Sequence, residues 1–151
     1  MTVTMSGRPS SLTVFIAGRP LPKQSARFGK GRSWQPKAKV QYKQVIELMV
    51  REAWLQAGKP DIEPPFSVQL DFVFGWPQGT RKADRDKTLW RTTRPDLDNL
   101  GKMTLDALTL IIPEDAAVSE LKLTKRNGPK RDEGVTITIG QCEPDDADND
   151  S

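Results

Sequence analysis

The chain has 151 residues, 36% of them hydrophobic, and a formal charge of +3 from 23 Lys and Arg against 20 Asp and Glu. That length suits one domain with one modest core, and no apolar run is long enough for a membrane-spanning helix. With no histidine and with Cys142 as its one cysteine, the chain excludes a Ser-His-Asp triad, histidine-based hydrolysis and an internal disulfide.

Taken in chain order, Met1–Ser10 is polar, lacks the apolar stretch of a secretory signal and is predicted to be disordered. A cytoplasmic, reducing setting is the matching expectation. Leu12–Ala17 is rich in β-branched and aromatic residues and predicts a strand, ended by Gly18-Arg19-Pro20-Leu21-Pro22. Lys23–Pro36, with Gly29 and Gly31 among basic residues, predicts a mobile loop. Pro36 opens a helix whose apolar stripe is Tyr42, Val45, Ile46, Met49 and Ala53 and which Gly58 and Pro60 stop. Phe66, Val68, Leu70, Phe72 and Phe74 alternate with Ser67, Gln69, Asp71 and Val73, the clearest strand pattern in the chain.

Trp76–Pro95 has no periodicity and is long for a loop in a compact domain, a length that marks functional or disordered segments. A second helix is predicted from near Asp96 to just before Pro113, with Leu97, Leu100, Gly101, Thr104, Leu108 and Ile111 as its buried stripe. Val118–Lys125 and Val135–Ile139 then read as a hairpin through Asn127-Gly128. The tail after Pro144 is acidic and predicted to be disordered. The order β-α-β-α-β-β predicts an α/β (α+β) fold with a small mixed sheet of about four strands and two helices on one face. Residues 11–142 form its single domain, between a disordered segment 1–10 and an acidic tail 143–151.

Charge is unevenly placed. Met1–Ile46 holds no Asp or Glu but nine basic residues, whereas Glu143, Asp145, Asp146, Asp148 and Asp150 close the chain without a basic residue among them. Such a basic segment fits a polyanionic partner, because each neutralised phosphate releases a counterion. Arg19, Lys23, Arg27, Lys30 and Arg32 are the first candidate DNA contacts, and Arg81, Lys82, Arg85, Arg91 and Arg94 a second set. Phe28, Trp34 and Trp76 are candidates for stacking on opened bases or for anchoring loops.

Arg94-Pro95-Asp96-Leu97-Asp98-Asn99-Leu100, with Lys102 and the later Glu114-Asp115, is the segment richest in chemistry. Asp96 sits where a helix N-cap is expected, with Asn99 in the capping-box position, and Lys102 one turn after Asp98 fits an ordinary helix-face ion pair with Asp98 or Asp106. Asp96, Asp98 and Asp115 also offer only oxygen ligands, which favours Mg²⁺ or Mn²⁺ over zinc. A cation of that kind makes phosphodiester hydrolysis feasible without histidine, with Lys102 placed to neutralise charge on the phosphate. An EF-hand is excluded because Leu100 and Ala107 stand where its middle ligand and its glutamate belong. Spacing alone leaves the cap and the metal site both open.

Arg94 to Lys102, followed by Leu105-Asp106-Ala107-Leu108, Glu114-Asp115-Ala116-Ala117-Val118 and Thr124-Lys125-Arg126, resembles the RusA family of Holliday-junction resolvases of bacteriophages and prophages. Gly18-Arg19-Pro20-Leu21-Pro22-Lys23-Gln24 is similar to that family's opening, and the resemblance spans roughly Leu12 to Gln141. It implies that Asp96, Asp98 and Asp115 are Mg²⁺ ligands, that Lys102 is a catalytic lysine, and that a homodimer cuts four-way DNA junctions in recombination and repair. Pro95 stands where some members carry a basic residue, and Arg94 is the substitute on hand. The role of Glu114 is open, and nothing is carried over to the acidic tail. Two rival readings are a nuclease for branched DNA in general and a DNA-binding module whose Asp96 and Asp98 only cap a helix.

Overall fold

A computed structural model describes residues 11–23, 27–29, 32–34 and 37–143. The expectations for Met1–Ser10 and for the tail after Pro144 lie outside them. The elements are β1 (Ser11–Ala17), β2 (Arg27–Gly29), β3 (Arg32–Trp34), α1 (Lys37–Gln56), β4 (Phe66–Gly75), β5 (Leu89–Trp90), α2 (Leu97–Asp106), β6 (Val118–Gly128) and β7 (Gly134–Gln141). Five strands form one mixed sheet in the order β1-β7-β4-β6-β5, and β2 with β3 forms a separate ribbon.

β4 is central because its alternation is the most complete in the chain. Phe66, Val68, Leu70, Phe72 and Phe74 are all buried on the side that the helices cover. Truncating a fully buried phenylalanine such as Phe72 costs about 3–5 kcal/mol. β4 pairs antiparallel with β7 and parallel with β6, so both of its edges are satisfied.

This arrangement corrects the predicted hairpin, since β6 and β7 are not neighbours and β4 lies between them. With β7 on one side and β6 on the other, the backbone of the most apolar strand is hydrogen-bonded along both edges, and leaving such backbone unpaired is costly. The connection instead crosses the end of β4 through a 3₁₀ turn at Lys130–Asp132, and the Gly75 amide donates to Glu133 Oε2 at 2.8 Å.

Three further expectations are revised. The loop predicted at Lys23–Pro36 contains the β2–β3 ribbon, and the loop predicted at Trp76–Pro95 contributes β5, so the main sheet has five strands rather than four. Two- and three-residue strands are too short to show a period. α1 forms where expected, but Val45 and Met49 are exposed while Ile46 and Val50 are buried, with Tyr42, Ala53 and Trp54 packed beside them. Its stripe is turned by part of a helical turn from the predicted one, because its docking partners rather than its own pattern choose the inward face. α2 ends at Asp106, yet Leu108, Ile111 and Ile112 remain buried through the turn that follows. Gly101 sets how closely α2 approaches the sheet: a β-carbon there would stand 2.9 Å from Leu123 Cδ1 on β6.

Candidate active site

Asp96 occupies the N-cap position of α2 with extended backbone (φ −70°, ψ 141°), but its side chain makes no capping hydrogen bond. Its backbone carbonyl accepts from the Leu100 amide at 3.1 Å, so the helix begins without its carboxylate. The capping explanation for Asp96 is therefore removed. The exposed carboxylate opens into a cleft of about 410 Å³ lined by Arg19, Pro22, Lys23, Arg94, Pro95 and Asn99 as well as Asp96.

The turn that carries Asp96 is held from beneath by two cations. Lys125 on β6 donates through Nζ to the carbonyls of Thr93 (2.7 Å) and Pro95 (2.6 Å). Arg91 donates through Nε to the Arg94 carbonyl at 3.0 Å, with Nη2 on the same oxygen, and through Nη1 to Asn127 Oδ1 at 2.7 Å. Burial, followed by repulsion from Arg91, holds the Lys125 ammonium below its ordinary value, against a smaller pull from Asp96. Burial and the nearby Arg19 likewise lower Arg91. A cation that is partly desolvated between carbonyls orders the turn, since charge-assisted hydrogen bonds are the strong ones.

A second layer fixes those cations. The guanidinium groups of Arg19 and Arg91 lie over the buried Phe74 ring at 5.1 and 4.3 Å. Glu133, only 7% exposed, reaches Arg19 at 3.6 Å and Lys130 at 3.2 Å. Burial alone would raise the Glu133 carboxyl, but the Gly75 amide, Lys130 and Arg19 together hold it below the ordinary carboxylate range.

Asp98 lies in the first turn of α2 and Lys102 on its exposed surface. Among the described residues Lys102 makes no ion pair with Asp98 or Asp106, and Asp106 instead pairs with Lys23. Asp115 opens the 3₁₀ turn Asp115–Ala117 that leads into β6, at the opposite end of that strand from Lys125. Val118 and Lys125 are seven residue steps apart, a span of roughly 23 Å along β6 at about 3.3 Å per step. Among the described residues no group of three or more Asp, Glu, Cys or His is arranged to hold a metal ion. The donors are chemically suited to a hard cation, but one chain does not bring all three aspartates together.

The candidate DNA contacts divide. Arg19, Lys23 and Arg94 share the cleft with Asp96. Arg27 and Arg32 lie on the β2–β3 ribbon, and Lys30 is outside the described residues. Arg81, Lys82 and Arg85 form an exposed group on the segment before β5, where Arg81 and Lys87 both bond Asp84 at 3.1 Å. Trp76 anchors that segment through Nε1 on the Lys87 carbonyl at 2.8 Å. Arg91 is half-buried and committed to the turn.

Sequence reading misses the positions of Lys125 and Glu133 in this scaffold and the stack of Arg126 over Trp90 at 4.1 Å. Lys125-Arg126 enters the sequence reading only among the residues of the resemblance, with no role, since a charge in a strand ordinarily faces solvent. Glu133 lies in a run of charged turn residues that gives no sign of its burial.

A family model described as Endodeoxyribonuclease RusA matches residues 17–140. No curated protein matches the chain at a significant level.

Proposed function

Since the chain belongs to the RusA endodeoxyribonuclease family, we propose that it resolves four-way DNA junctions by paired phosphodiester hydrolysis that requires Mg²⁺, in recombination and repair. The observation that carries this reading is the Asp96 turn, an exposed carboxylate that caps no helix amide and opens into a cleft bearing Arg19, Lys23 and Arg94. Those cations take the phosphates flanking the cut, and Asp96 and Asp98 face the scissile group from the start of α2. Lys102 neutralises charge that develops on the phosphate. Mn²⁺ is the natural substitute for Mg²⁺ at such oxygen donors.

The active form is a homodimer, for two reasons. Junction resolution needs two cuts in strands of like polarity, which a twofold pair of identical sites supplies. Asp115 stands at the far end of β6 from Asp96 and Asp98, so a site that uses all three takes Asp115 from a second copy. Bound there, a hard divalent cation supplies Lewis acidity toward the phosphodiester.

The test is cleavage of a synthetic four-way junction, a fork and a linear duplex in Mg²⁺, Mn²⁺ or EDTA. Symmetric nicks in the junction with either metal, and none with EDTA, are expected. Equal cleavage of fork and junction would widen the substrate to branched DNA in general, and cleavage in EDTA would remove the metal.

A further inference from the structure

β6 is paired on both sides for only a short part of its length. β5 covers Arg126 and Asn127, and the Arg91 amide donates to the Lys125 carbonyl at 3.2 Å. From Val118 to Thr124 the strand has β4 on one side and, among the described residues, no strand on the other. Ser119, Glu120, Leu121 and Lys122 are exposed, and Leu121 leaves 43% of its surface in solvent. Because Lys125 turns its carbonyl away from β4, the two-residue period directs the N–H and C=O groups of Leu123 and Leu121 to that same open side, and the register irregularity at Ser119 ends the regular part of the edge. An apolar residue at the middle of an open edge is a template for another strand.

We propose that this edge is the dimer interface: β6 pairs antiparallel with β6 of a second copy about a twofold axis at Leu121. In that register Leu121 faces Leu121 of the second copy, and the two exchange backbone hydrogen bonds at the axis. Glu120 faces Lys122 of the second copy on the open face of the sheet, and Lys122 faces Glu120, so two opposite-charge pairs form at once. A slip to either side loses this match. The other sheet edge, β1, runs Ser11-Leu12-Thr13-Val14-Phe15-Ile16-Ala17 and holds no charge that would set a register.

The proposal rests on the two-copy reading of the active site and gives it a geometry. Past its Glu120 the second copy's chain runs toward Thr124 of the first, and β5 blocks the line beyond. The second copy's chain before Val118 leaves that line as the turn Asp115–Ala117. Its Asp115 is thereby set beside the turn at Thr93–Asp96, while the symmetric site forms across the axis.

The test is sedimentation equilibrium of the full chain. Glu120→Lys and Lys122→Glu should each weaken dimerisation about tenfold or more, because each puts like charges at both cross-strand positions. An equimolar mixture of the two variants should dimerise as well as the unaltered chain, since every pair is then opposite in sign. Leu121→Pro removes an outward N–H without touching the ladder to β4 and should give monomers; if it unfolds by circular dichroism, the charge variants decide. Charge variants that stay dimeric, or a mixture that does not recover, would overturn the interface. Rescue of cleavage by mixing Asp96→Asn with Asp115→Asn reports on the two-copy site separately. If mixing rescues cleavage and the charge variants have no effect, the site stands and this interface falls.

Discussion

The two ends of β6 are built to different standards. At the Lys125 end the backbone carrying Asp96 is clamped by Lys125 and Arg91, which are steadied in turn by Phe74, Arg19 and the buried Glu133. At the Val118 end, Asp115 sits exposed in a short 3₁₀ turn that leads to an edge with no partner strand among the described residues. The first end is braced by side chains from several elements, whereas the second is held by the backbone of its turn, where the Ala117 amide donates to the Glu114 carbonyl at 3.0 Å. Preorganisation is where rate enhancement resides, because dipoles and charges fixed before the reaction need not reorient during it.

The largest effect should come from the carboxylates. Asp96→Asn and Asp98→Asn should each lower junction cleavage on the order of 10²-fold or more, the scale of losing a group that stabilises transition-state charge. Gel-shift affinity for the junction should persist, and cleavage near the unaltered rate would remove that residue from the site. Mixing Asp96→Asn with Asp115→Asn sharpens the comparison between the two ends. If each site draws on both copies, a heterodimer keeps one intact site and nicks one strand; if both ends acted within one chain, the mixture would stay inactive.

Next comes Lys102→Ala, which should slow cleavage more than it weakens binding in single-turnover assays. An unchanged rate would return Lys102 to the role of a surface charge. Lys125→Ala probes the clamp. It should cost about 1–2 kcal/mol in thermal unfolding, the worth of partly exposed charge-assisted hydrogen bonds, and lower the cleavage rate without changing the salt dependence of binding. Neutralising Arg19 and Arg94 should instead flatten that dependence, by roughly one unit of slope for each phosphate that is no longer neutralised.

The smallest effect is the pH response of Glu133. Its carboxyl lies below the ordinary value of 4.5 in the folded state, so the unfolded chain takes up its proton first as the solution is acidified. The stabilisation is whole above that ordinary value and fades as pH falls through the lower folded value. Glu133→Gln should therefore narrow the difference in melting temperature between neutral and acidic solution, and an unchanged profile would assign acid sensitivity to other carboxylates.

Much of this molecule is legible residue by residue. The alternation Phe66–Phe74 identifies the central strand, Gly58 and Pro60 end α1, and Asp96 opens α2. Local sterics and periodicity act over a few residues, so a single sequence records them. The inward face of α1 is misassigned from sequence because Val45 and Ile46 are equally apolar and only docking separates them. β5 is invisible for want of length, and the order β7-β4-β6 is hidden because turn residues at Asn127-Gly128 are as compatible with a crossover as with a hairpin.

By itself, then, the sequence determined the types of the longer elements, the separation of charge along the chain and the segment from Arg94 to Lys102 as the centre of its chemistry. Tertiary structure decided that the Asp96 carboxylate makes no capping hydrogen bond, that Lys125 and Glu133 serve the turn presenting it, and that Asp115 lies at the other end of β6. The physical reason is distance along the chain. Helix starts and strand patterns are set by neighbours in sequence, whereas the partners of a buried charge and the spacing of distant carboxylates depend on which strands lie side by side.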